Sequence, residues 1–384
     1  MRKYLKYRKY LIPFFNSEVR HWTWEARLLN WLTAFWLLIG LITLISASYP
    51  EGIIDHQDGF YTFKRQLLGV VIGTIGFNFV TLKPLRKTIK FSPVMLLVCL
   101  VLIFLTSVVG TEINGAKRWI PIGSFSMQPS ELIKPFLVMQ SAYIFAKWKQ
   151  LDWSIKIAWL IVFSLVLLGI IIQPNLSTTA LCGMGLWLIA TAAELPLLQL
   201  FSVSIGGLSL AAVSIFFRSY QRERIVFFLN PWQDHEGKGY QLIQSLLAIA
   251  SGGWSGSGLG LSQQKLFYLP IRTTDFIFSV YAEEFGFIGC MLLLILIMSY
   301  GTLALIVALK SRTKIQRLVA IGAMVFLVGQ SLINIAVASG SLPTTGLPFP
   351  FLSYGINSII ASMLLAGLLI RVARESSQAE VIPF

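Results

Sequence analysis

The chain carries little charge for its size. Charged residues make up 12% of its 384 residues, whereas 55% are hydrophobic and the mean hydropathy is +0.72. A soluble globular domain carries about 25% charged residues, roughly twice this share. The shortage of charge excludes an ordinary soluble domain, so lipid must surround most of the chain.

Cysteine and histidine are also scarce, with three of each. Cys99, Cys182 and Cys290 all lie in apolar runs, which favours buried small hydrophobic residues over a disulfide framework. The histidines lie in separate segments and lack the Cys/His/Glu spacing of a zinc site. The sequence therefore indicates neither redox nor zinc chemistry, and binding of another metal stays open.

Long apolar runs, in contrast, are abundant. Spanning a bilayer requires about 20 apolar residues per helix, and short charged or Gly/Pro-rich stretches separate the candidates. We therefore predict an all-α polytopic membrane protein with about ten transmembrane helices. The runs cover residues 31–49, 66–82, 91–110, 130–147, 155–172, 177–193, 196–217, 281–309, 316–340 and 354–372.

Basic residues outnumber acidic residues by 31 to 17, which gives a net charge of +14. If the N-terminus is cytoplasmic, most basic residues fall on the cytoplasmic side, and the positive-inside rule then places both termini there. Residues 1–30 are expected to form a Trp-rich cytoplasmic segment without a cleavable signal peptide, and residues 375–384 a cytoplasmic tail. The charge reflects topology and attraction to anionic membrane lipids, so we expect no nucleic-acid partner.

One predicted outer connection, residues 218–280 between helices 7 and 8, is much longer than the others. Its apolar patches are too short to cross the membrane and predict short helices at the membrane surface. We expect this large loop to form an outer cap that contacts a partner. The glycine-rich run at 251–260 lacks the Gly-Lys-Ser/Thr ending of a nucleotide-binding loop and predicts tight backbone turns.

Two charged residues begin the fourth apolar run. Glu131 and Lys134 are three positions apart, so their side chains can pair on one helical face. Charged groups at membrane depth are costly and serve either function or a structural ion pair, and both roles stay open here. Ser130 permits a Ser/Lys nucleophile with Lys134, although it suits an N-cap beside Pro129 better.

Asp275 is the candidate general base. It ends a polar run and directly precedes an apolar helix, where partial burial would raise its pKa and suit it to accept a proton. The alternative is that Asp275 only caps this helix. Cations predicted on the same side could hold a diphosphate, and they are Lys117, Arg118, Lys265 and Arg272.

Three blocks of sequence resemble the signature of the SEDS family, the FtsW, RodA and SpoVE group. The first is NGAKRWI (114–120) followed by QPSELIK (128–134). The second runs from GYQ (239–241) through TDFIFS (274–279) to EEFG (283–286), and the third is LPTTGLPFPFLSYG (342–355). The resemblance covers residues 31–374, the predicted transmembrane domain, and residues 46–48 and 60–66 resemble the cell-division branch of the family.

The resemblance implies a ten-helix fold that polymerises lipid II, an undecaprenyl-diphosphate-linked disaccharide pentapeptide, at the outer surface of the bacterial plasma membrane. It implies that Asp275 matches the family's essential acid. It also implies septal localisation, a class B penicillin-binding transpeptidase as a partner, and other division proteins. The chain departs from the family pattern at Arg272, at Asn175, where an aspartate is usual, and at residues 356–357. The Asn175 difference puts a carboxylate role there in doubt, and the Arg272 difference affects how the diphosphate is held.

We therefore predict inverting glycosyl transfer, with Asp275 as the base and a polyprenyl diphosphate as the leaving group. The predicted substrate-binding residues are the four cations named above together with Glu131 and Lys134. No motif requires a cofactor, although a divalent cation could assist the leaving group. A flippase or transporter, or a non-catalytic division scaffold, are the alternatives; a flippase would need charges along a path to the cytoplasmic side, whereas the unusual acids here cluster outward.

Overall fold

Helices dominate the part of the chain that the structure, a computed structural model, describes: Val19 and residues 22–113, 116–123, 125–217, 219–237 and 239–377. The helical class predicted from the apolar runs is confirmed. Most of the predicted N-terminal segment and residues 378–384 of the predicted tail lie outside the described residues. The helices are α1 Trp24–His56, α2 Tyr61–Leu82, α3 Leu85–Val109, α4 Pro129–Ala146, α5 Trp153–Ile172, α6 Leu176–Ala192, α7 Leu197–Phe217, α8 Ser219–Leu229, α9 Tyr240–Ser251, α10 Ile277–Lys310, α11 Lys314–Met324, α12 Gln330–Ala338 and α13 Ile356–Ser377.

Eight helical stretches of the described residues are long and apolar enough to cross a membrane. They are α1, α2, α3, α5, α7, α10, the continuous stretch Lys314–Ala338, and α13. Each of the ten predicted runs overlaps a helix over nearly its whole length. The two outside this group are α4, which begins with a charged pair, and the shorter α6. A count of ten membrane-spanning helices therefore stays a prediction.

A small antiparallel sheet between α3 and α4 departs from the all-α prediction. Its strands, β1 Thr111–Ile113, β2 Ala116–Ile122 and β3 Phe125–Met127, pair in the order β1-β2-β3. Gly110, the residue that follows α3, has an extended backbone, and Gly123 adopts a positive φ of 59° between β2 and β3. These two backbone features convert a segment without helical periodicity into a β-meander.

Helix α13 forms the centre of the bundle and packs closely against α2. Glycines of α2 allow this approach, because a Cβ atom at Gly69 would lie 3.1 Å from the Cα atom of Ile356 and one at Gly73 would lie 3.0 Å from Met363. Small residues at such contacts let two membrane helices approach until their backbones nearly touch. Helix α13 therefore fixes the positions of the segments at its ends, including residues 339–355.

The glycine-rich segment predicted to turn tightly closes a break in α10. Helix α10 is interrupted at Gly286, where φ is 64° and ψ is −167°. The backbone N–H groups freed by this break donate to the segment, as in Phe287 to the carbonyl of Gly253 at 2.8 Å. The N–H of Ser257 donates in return to the carbonyl of Glu283 at 2.9 Å. The break and the turn thus satisfy each other's backbone groups.

Two consecutive acids of α10 anchor the chain that follows this turn. The carboxylate of Glu283 accepts hydrogen bonds from the backbone N–H of Gln263, at 2.8 Å, and from the hydroxyl of Ser262. The carboxylate of Glu284 pairs with Lys265 at 2.7 Å in a buried ion pair. Both acids therefore hold the segment before Asp275 in place.

Candidate active site

Asp275 lies in a cavity of about 320 Å³ at one end of the bundle, which we call the site end. It lies two residues before Ile277, the first residue of α10. The cavity walls come from several elements, so the site depends on the tertiary fold. The other lining residues are Arg224, Gln241, Ile271, Phe276, Val337, Thr344, Thr345 and Gly346.

The environment of Asp275 makes it a stronger base than an exposed aspartate. Burial raises the pKa of its carboxyl group from an ordinary value of 3.8 to about 6. The positive charges of Arg224 and Arg118 and a hydrogen bond from the side chain of Thr274 oppose this shift and only reduce it. At neutral pH the carboxylate is ionised, and its pKa is close enough to 7 for efficient proton acceptance.

The alternative role of Asp275 as a helix cap is wrong. The residue at the N-cap position of α10 is Phe276, and no side chain makes a capping hydrogen bond there. The carboxylate of Asp275 faces the cavity instead, and a Cβ atom added to Gly346 on the opposite wall would lie 3.5 Å from its Oδ2. The side chain is therefore available for chemistry in the cavity.

Arg224 of α8 is a cavity residue that the sequence analysis missed. Its Nη1 donates to the carbonyl oxygens of Thr344 at 3.0 Å and Thr345 at 3.3 Å, across the cavity mouth. Its chain position, 51 residues before Asp275, gave no hint of this proximity. The available signal was a basic residue in a connection predicted to lie outside, against the positive-inside rule.

Arg118 and Lys117 lie next to each other on β2 but differ in surroundings. The guanidinium of Arg118 donates to the carbonyls of Gln173 at 3.1 Å and Pro174 at 2.5 Å, and its charge also acts on Asp275. Lys117 is exposed. Of these two sequence-predicted cations, the structure therefore brings Arg118 to the site. Asn175, next to Pro174, accepts a hydrogen bond from a backbone N–H and caps α6.

Lys265 and Arg272, which the sequence places near Asp275, have acidic partners of their own. Lys265 is buried in its pair with Glu284, and Arg272 pairs with Glu51 of α1 at 3.3 Å. Neither residue belongs to the described cavity lining. Proximity in sequence was a poor guide here, because both side chains pair with acids that lie outside the described cavity lining.

Glu131 and Lys134 form the ion pair predicted from their spacing. Lys134 Nζ lies 2.6 Å from Glu131 Oε1, both side chains are buried, and Lys134 also donates to Gln330 Oε1 at 3.1 Å. Ser130 lies inside α4, whose N-cap is Gln128, so the predicted capping role of Ser130 is wrong. Its buried hydroxyl makes no hydrogen bond within the described structure, which leaves the Ser/Lys nucleophile without support.

A metal site is not evident from the donor groups. Among the described residues, no three His, Cys, Asp or Glu side chains come together in a way that could hold an ion. A cation at Asp275 would therefore have to take most of its ligands from a bound substrate, as Mg²⁺ often does with phosphates.

Within the described residues, eight apolar helical stretches and a cavity that holds the carboxylate of Asp275 define a multi-pass membrane protein with a candidate active site. A family model described as "Cell cycle protein", which covers FtsW, RodA and SpoVE, matches residues 26–378. The chain therefore belongs to the FtsW/RodA/SpoVE family.

Individual relatives agree with this membership. A protein from Synechocystis sp. named "Probable peptidoglycan glycosyltransferase FtsW" is 52% identical over 97% of this chain and 95% of its own length. A relative from Mesostigma viride, also named as an FtsW glycosyltransferase, is 48% identical over 96% of this chain and 88% of its own. The fold matches a chain in a solved structure described as "Structural coordination of polymerization and crosslinking by a peptidoglycan synthase complex". That match has a TM-score of 0.73 and 29% identity, and covers 93% of this chain and 99% of the other.

Proposed function

We propose that this chain is a peptidoglycan glycosyltransferase that polymerises lipid II into glycan strands during cell division. The names of its relatives support the reaction class, and the FtsW names support the division role. The observation that carries the proposal is the environment of Asp275, a half-buried carboxylate in a cavity, with a pKa raised by burial and with the charges of two arginines acting on it. Such a site suits a reaction that deprotonates an alcohol and expels an anion.

In the proposed reaction, Asp275 accepts the proton of the acceptor sugar hydroxyl. The resulting oxygen attacks the anomeric carbon of a second lipid-linked sugar, and a new glycosidic C–O bond forms. The bond from that carbon to the diphosphate oxygen breaks, and the polyprenyl diphosphate leaves with both electrons of the bond. The configuration at the carbon inverts because nucleophile and leaving group occupy opposite faces.

Arg224 and Arg118 are the cations best placed to hold the leaving diphosphate. Both act on the charge of Asp275 and approach the site from different elements, α8 and β2. Guanidinium groups bind phosphate oxygens through paired N–H donors. Lys117, which is exposed, is proposed to attract the anion before it binds.

The remaining sequence-predicted site residues are given supporting roles. Lys265 and Arg272 are proposed to fix the segment that leads to Asp275 through their pairs with Glu284 and Glu51. The buried pair of Glu131 and Lys134 reaches the site end through Gln330, whose Nε2 donates to the carbonyl of Pro348 at 2.6 Å. All four then act on the substrate through the shape of the site.

The test is polymerisation of purified lipid II by the purified protein and its Asp275→Asn variant. Asparagine keeps the size of the side chain but accepts no proton, so the rate should fall by about 10²–10⁴ while the fold survives. Asp55→Asn is the matched control, because Asp55 is an exposed acid in the last turn of α1 and lies outside the cavity lining. Near-normal glycan synthesis by Asp275→Asn would refute the mechanism, and transport of lipid II by a polymerisation-inactive protein would favour the flippase.

The proposal includes an orientation in the bacterial plasma membrane, with the site end outside and both termini in the cytoplasm. Cysteines introduced at Asp234 and Gly237, on the connection between α8 and α9, should react with an impermeant thiol reagent added from outside. Labelling only from the cytoplasmic side would place the cavity away from its proposed substrate.

A class B penicillin-binding transpeptidase is the proposed partner, because the similar chain of the synthase complex belongs to an assembly described as coordinating polymerization and crosslinking. The region 218–280, with its short helices α8 and α9, is the proposed docking surface. Co-purification that survives detergent but is lost when this region is altered would support it. A divalent cation is proposed only as an aid to diphosphate departure, and titration with EDTA and Mg²⁺ would measure that dependence.

A further inference from the structure

Three consecutive backbone carbonyls at the site are held by one other part of the chain. The carbonyls of residues 273–275 accept hydrogen bonds from the N–H of Tyr354 at 2.8 Å, the hydroxyl of Ser353 at 2.5 Å and Nδ2 of Asn334 at 3.0 Å. The donors belong to α12 and to the segment 339–355 that follows it. All three carbonyls of the segment that ends at Asp275 are therefore tied to this other part of the chain.

Asn334 has a special place among these donors, because it joins both walls of the cavity. Its Nδ2 donates to the carbonyl of Asp275 and also to the carbonyl of Leu347, at 2.9 Å. The side chain is only 1% exposed, so water competes little for these bonds. The two acceptors belong to the segment that carries the carboxylate and to the segment that carries Gly346 opposite it.

A local change of helix type turns Asn334 toward these carbonyls. Residues Val325–Gly329 form a π-helical turn between α11 and α12. Such a turn inserts one residue and rotates everything after it, and it occurs often at functional sites. After the turn, Gln330 and Asn334 are four residues apart on one face, and both donate to carbonyls of the segment 339–355. The π-helical turn thus has a visible structural consequence at the site.

We propose that Asn334 is a positioning residue for the reaction, which fixes the backbone of Asp275 so that its carboxylate points into the cavity at the correct depth. This inference rests on the proposed glycosyl transfer and deepens it. Asn334 is not among the lining residues of the cavity and reaches the site through the carbonyl of Asp275. Loss of its donor leaves two buried carbonyls without their partner, and the segment that carries the base can then shift.

The charges that face Asp275 make such a shift measurable. Arg224 approaches from α8 and Arg118 from β2, whereas Lys265 and Arg272 of its own segment pair with Glu284 and Glu51. Asn334 itself is neutral. If the carboxylate moves outward it regains water, its pKa falls, and the acidic limb of the pH–rate profile moves to lower pH.

The experiment compares Asn334→Leu and Asn334→Ala with the wild-type chain in lipid II polymerisation. Leucine has the branched shape of asparagine but is bulkier and donates no hydrogen bond, whereas alanine removes the donor without adding bulk. Both variants should therefore lose about 10–100-fold in kcat with little change in KM. The acidic limb of the profile should move to lower pH in both. A leucine variant with normal kcat and an unmoved profile would overturn the inference, because it would leave only a packing role.

Controls separate this inference from folding defects and from the mechanism itself. Asn357→Ala removes another amide donor at the site end, bonded to the carbonyl of Ser126 at 2.9 Å, and should leave kcat and the profile unchanged. If both Asn334 variants fail to fold, Ser353→Ala takes their place, because it removes the hydroxyl donor to the carbonyl of Thr274. The acidic limb of its pH–rate profile should move to lower pH by a smaller amount. An unmoved profile would then refute the positioning role. Activity of Asp275→Asn would refute the proposed mechanism, whereas an inactive Asp275→Asn with a normal Asn334→Leu would refute the positioning role alone.

Discussion

Helices α7 and α13 are equally apolar, yet they have opposite places in the protein. Their most apolar windows have mean hydropathies of 2.0 and 1.9, but 6% of the α7 window is buried against 78% of the α13 window. Apolarity therefore shows that a helix enters the membrane and leaves open whether its neighbours are lipids or other helices. In a bilayer, lipid tails solvate leucine as well as protein does.

The difference lies in where the small residues are. Gly69 and Gly73 of α2 lie against α13 at distances that no larger residue would allow without rearrangement. Gly206 and Gly207 of α7 are also adjacent small residues, but a Cβ atom at either position would meet nothing within 4 Å. Glycine in a membrane helix permits close packing only where a partner helix presents a matching surface.

The candidate active site lies between these two kinds of structure. Two of its walls, the segment that carries Asp275 and the segment that carries Gly346, are joined by Asn334. The other wall carries Arg224 on α8, directly after the exposed helix α7. The base is thus held by the tightly packed region, and a cation that faces it comes from the loosely packed edge. Substitutions in the two regions should therefore differ in their effects.

The largest effect on stability is expected inside the packed region, at the buried pair of α4. Lys134→Ala leaves the carboxylate of Glu131 buried without its partner and should cost about 3–5 kcal/mol. Adding Glu131→Gln should recover part of that loss, because the second change removes the stranded charge. Thermal melts in detergent measure both variants. Additive losses in the double variant would show that the two side chains do not depend on each other. Lys64→Ala, in an exposed pair with Asp58, is the control and should not change the melt.

Sequence reasoning found most of the fold and only part of the site. Apolar runs identify helices because only helices and closed β-barrels can cross a bilayer with all their backbone polar groups hydrogen-bonded. The sheet at 111–127 was missed, since three short strands at the end of a bundle have no periodicity strong enough to detect. The burial of α13 and the exposure of α7 were not predictable from hydropathy.

The site illustrates the same limit. Asp275 was identified because an acid directly before an apolar helix is unusual and can be recognised from the sequence alone. Lys265 and Arg272 were placed beside it for their sequence proximity, whereas their buried or distant acidic partners decide where they point. Arg224 and Asn334 come from remote segments and reach Asp275 only in the folded protein.

A second prediction tests the contact between α2 and α13. Gly73→Leu places a large side chain against Met363 and Ile360 and should destabilise the protein by about 1–3 kcal/mol, although leucine favours the helix more than glycine does. The loss should appear as a lower melting temperature in detergent. An unchanged melting temperature would mean that α2 and α13 separate at no cost, contrary to their close packing.

A third prediction concerns how the stability of the protein depends on pH through Asp275, which lies where the tightly packed and the loosely packed regions meet. Its folded pKa of about 6 exceeds the ordinary 3.8, so the folded state binds the proton more tightly than the unfolded state. Stability from this group is fully present below pH 3.8 and is lost as pH rises through 6. Asp275→Asn has no such loss and should be more stable than the wild type at pH 8, by about 1–2 kcal/mol after allowance for partial exposure.

The measurement is the difference in melting temperature between Asp275→Asn and wild type, at pH 8 and at pH 4.5. The difference should favour the variant at pH 8 and shrink toward zero at the lower pH. A variant that is less stable than wild type at pH 8 would mean that Arg224 and Arg118 outweigh burial, and that the base is held by charge attraction.

The smallest effect on stability is expected in the exposed helix α7, and it tests the contrast between packed and exposed helices. Gly206→Leu makes the same chemical change as Gly73→Leu, also in a helix long and apolar enough to cross a membrane, but nothing lies within 4 Å of its new Cβ atom. The gain in helix propensity is therefore not opposed by any clash, and the melting temperature should stay constant or rise slightly. A fall as large as that of Gly73→Leu would mean that α7 packs against another surface in the membrane, such as a partner chain. In that case the wall that carries Arg224 would be as firmly fixed as the wall that carries Asp275, and the contrast between the two regions would disappear.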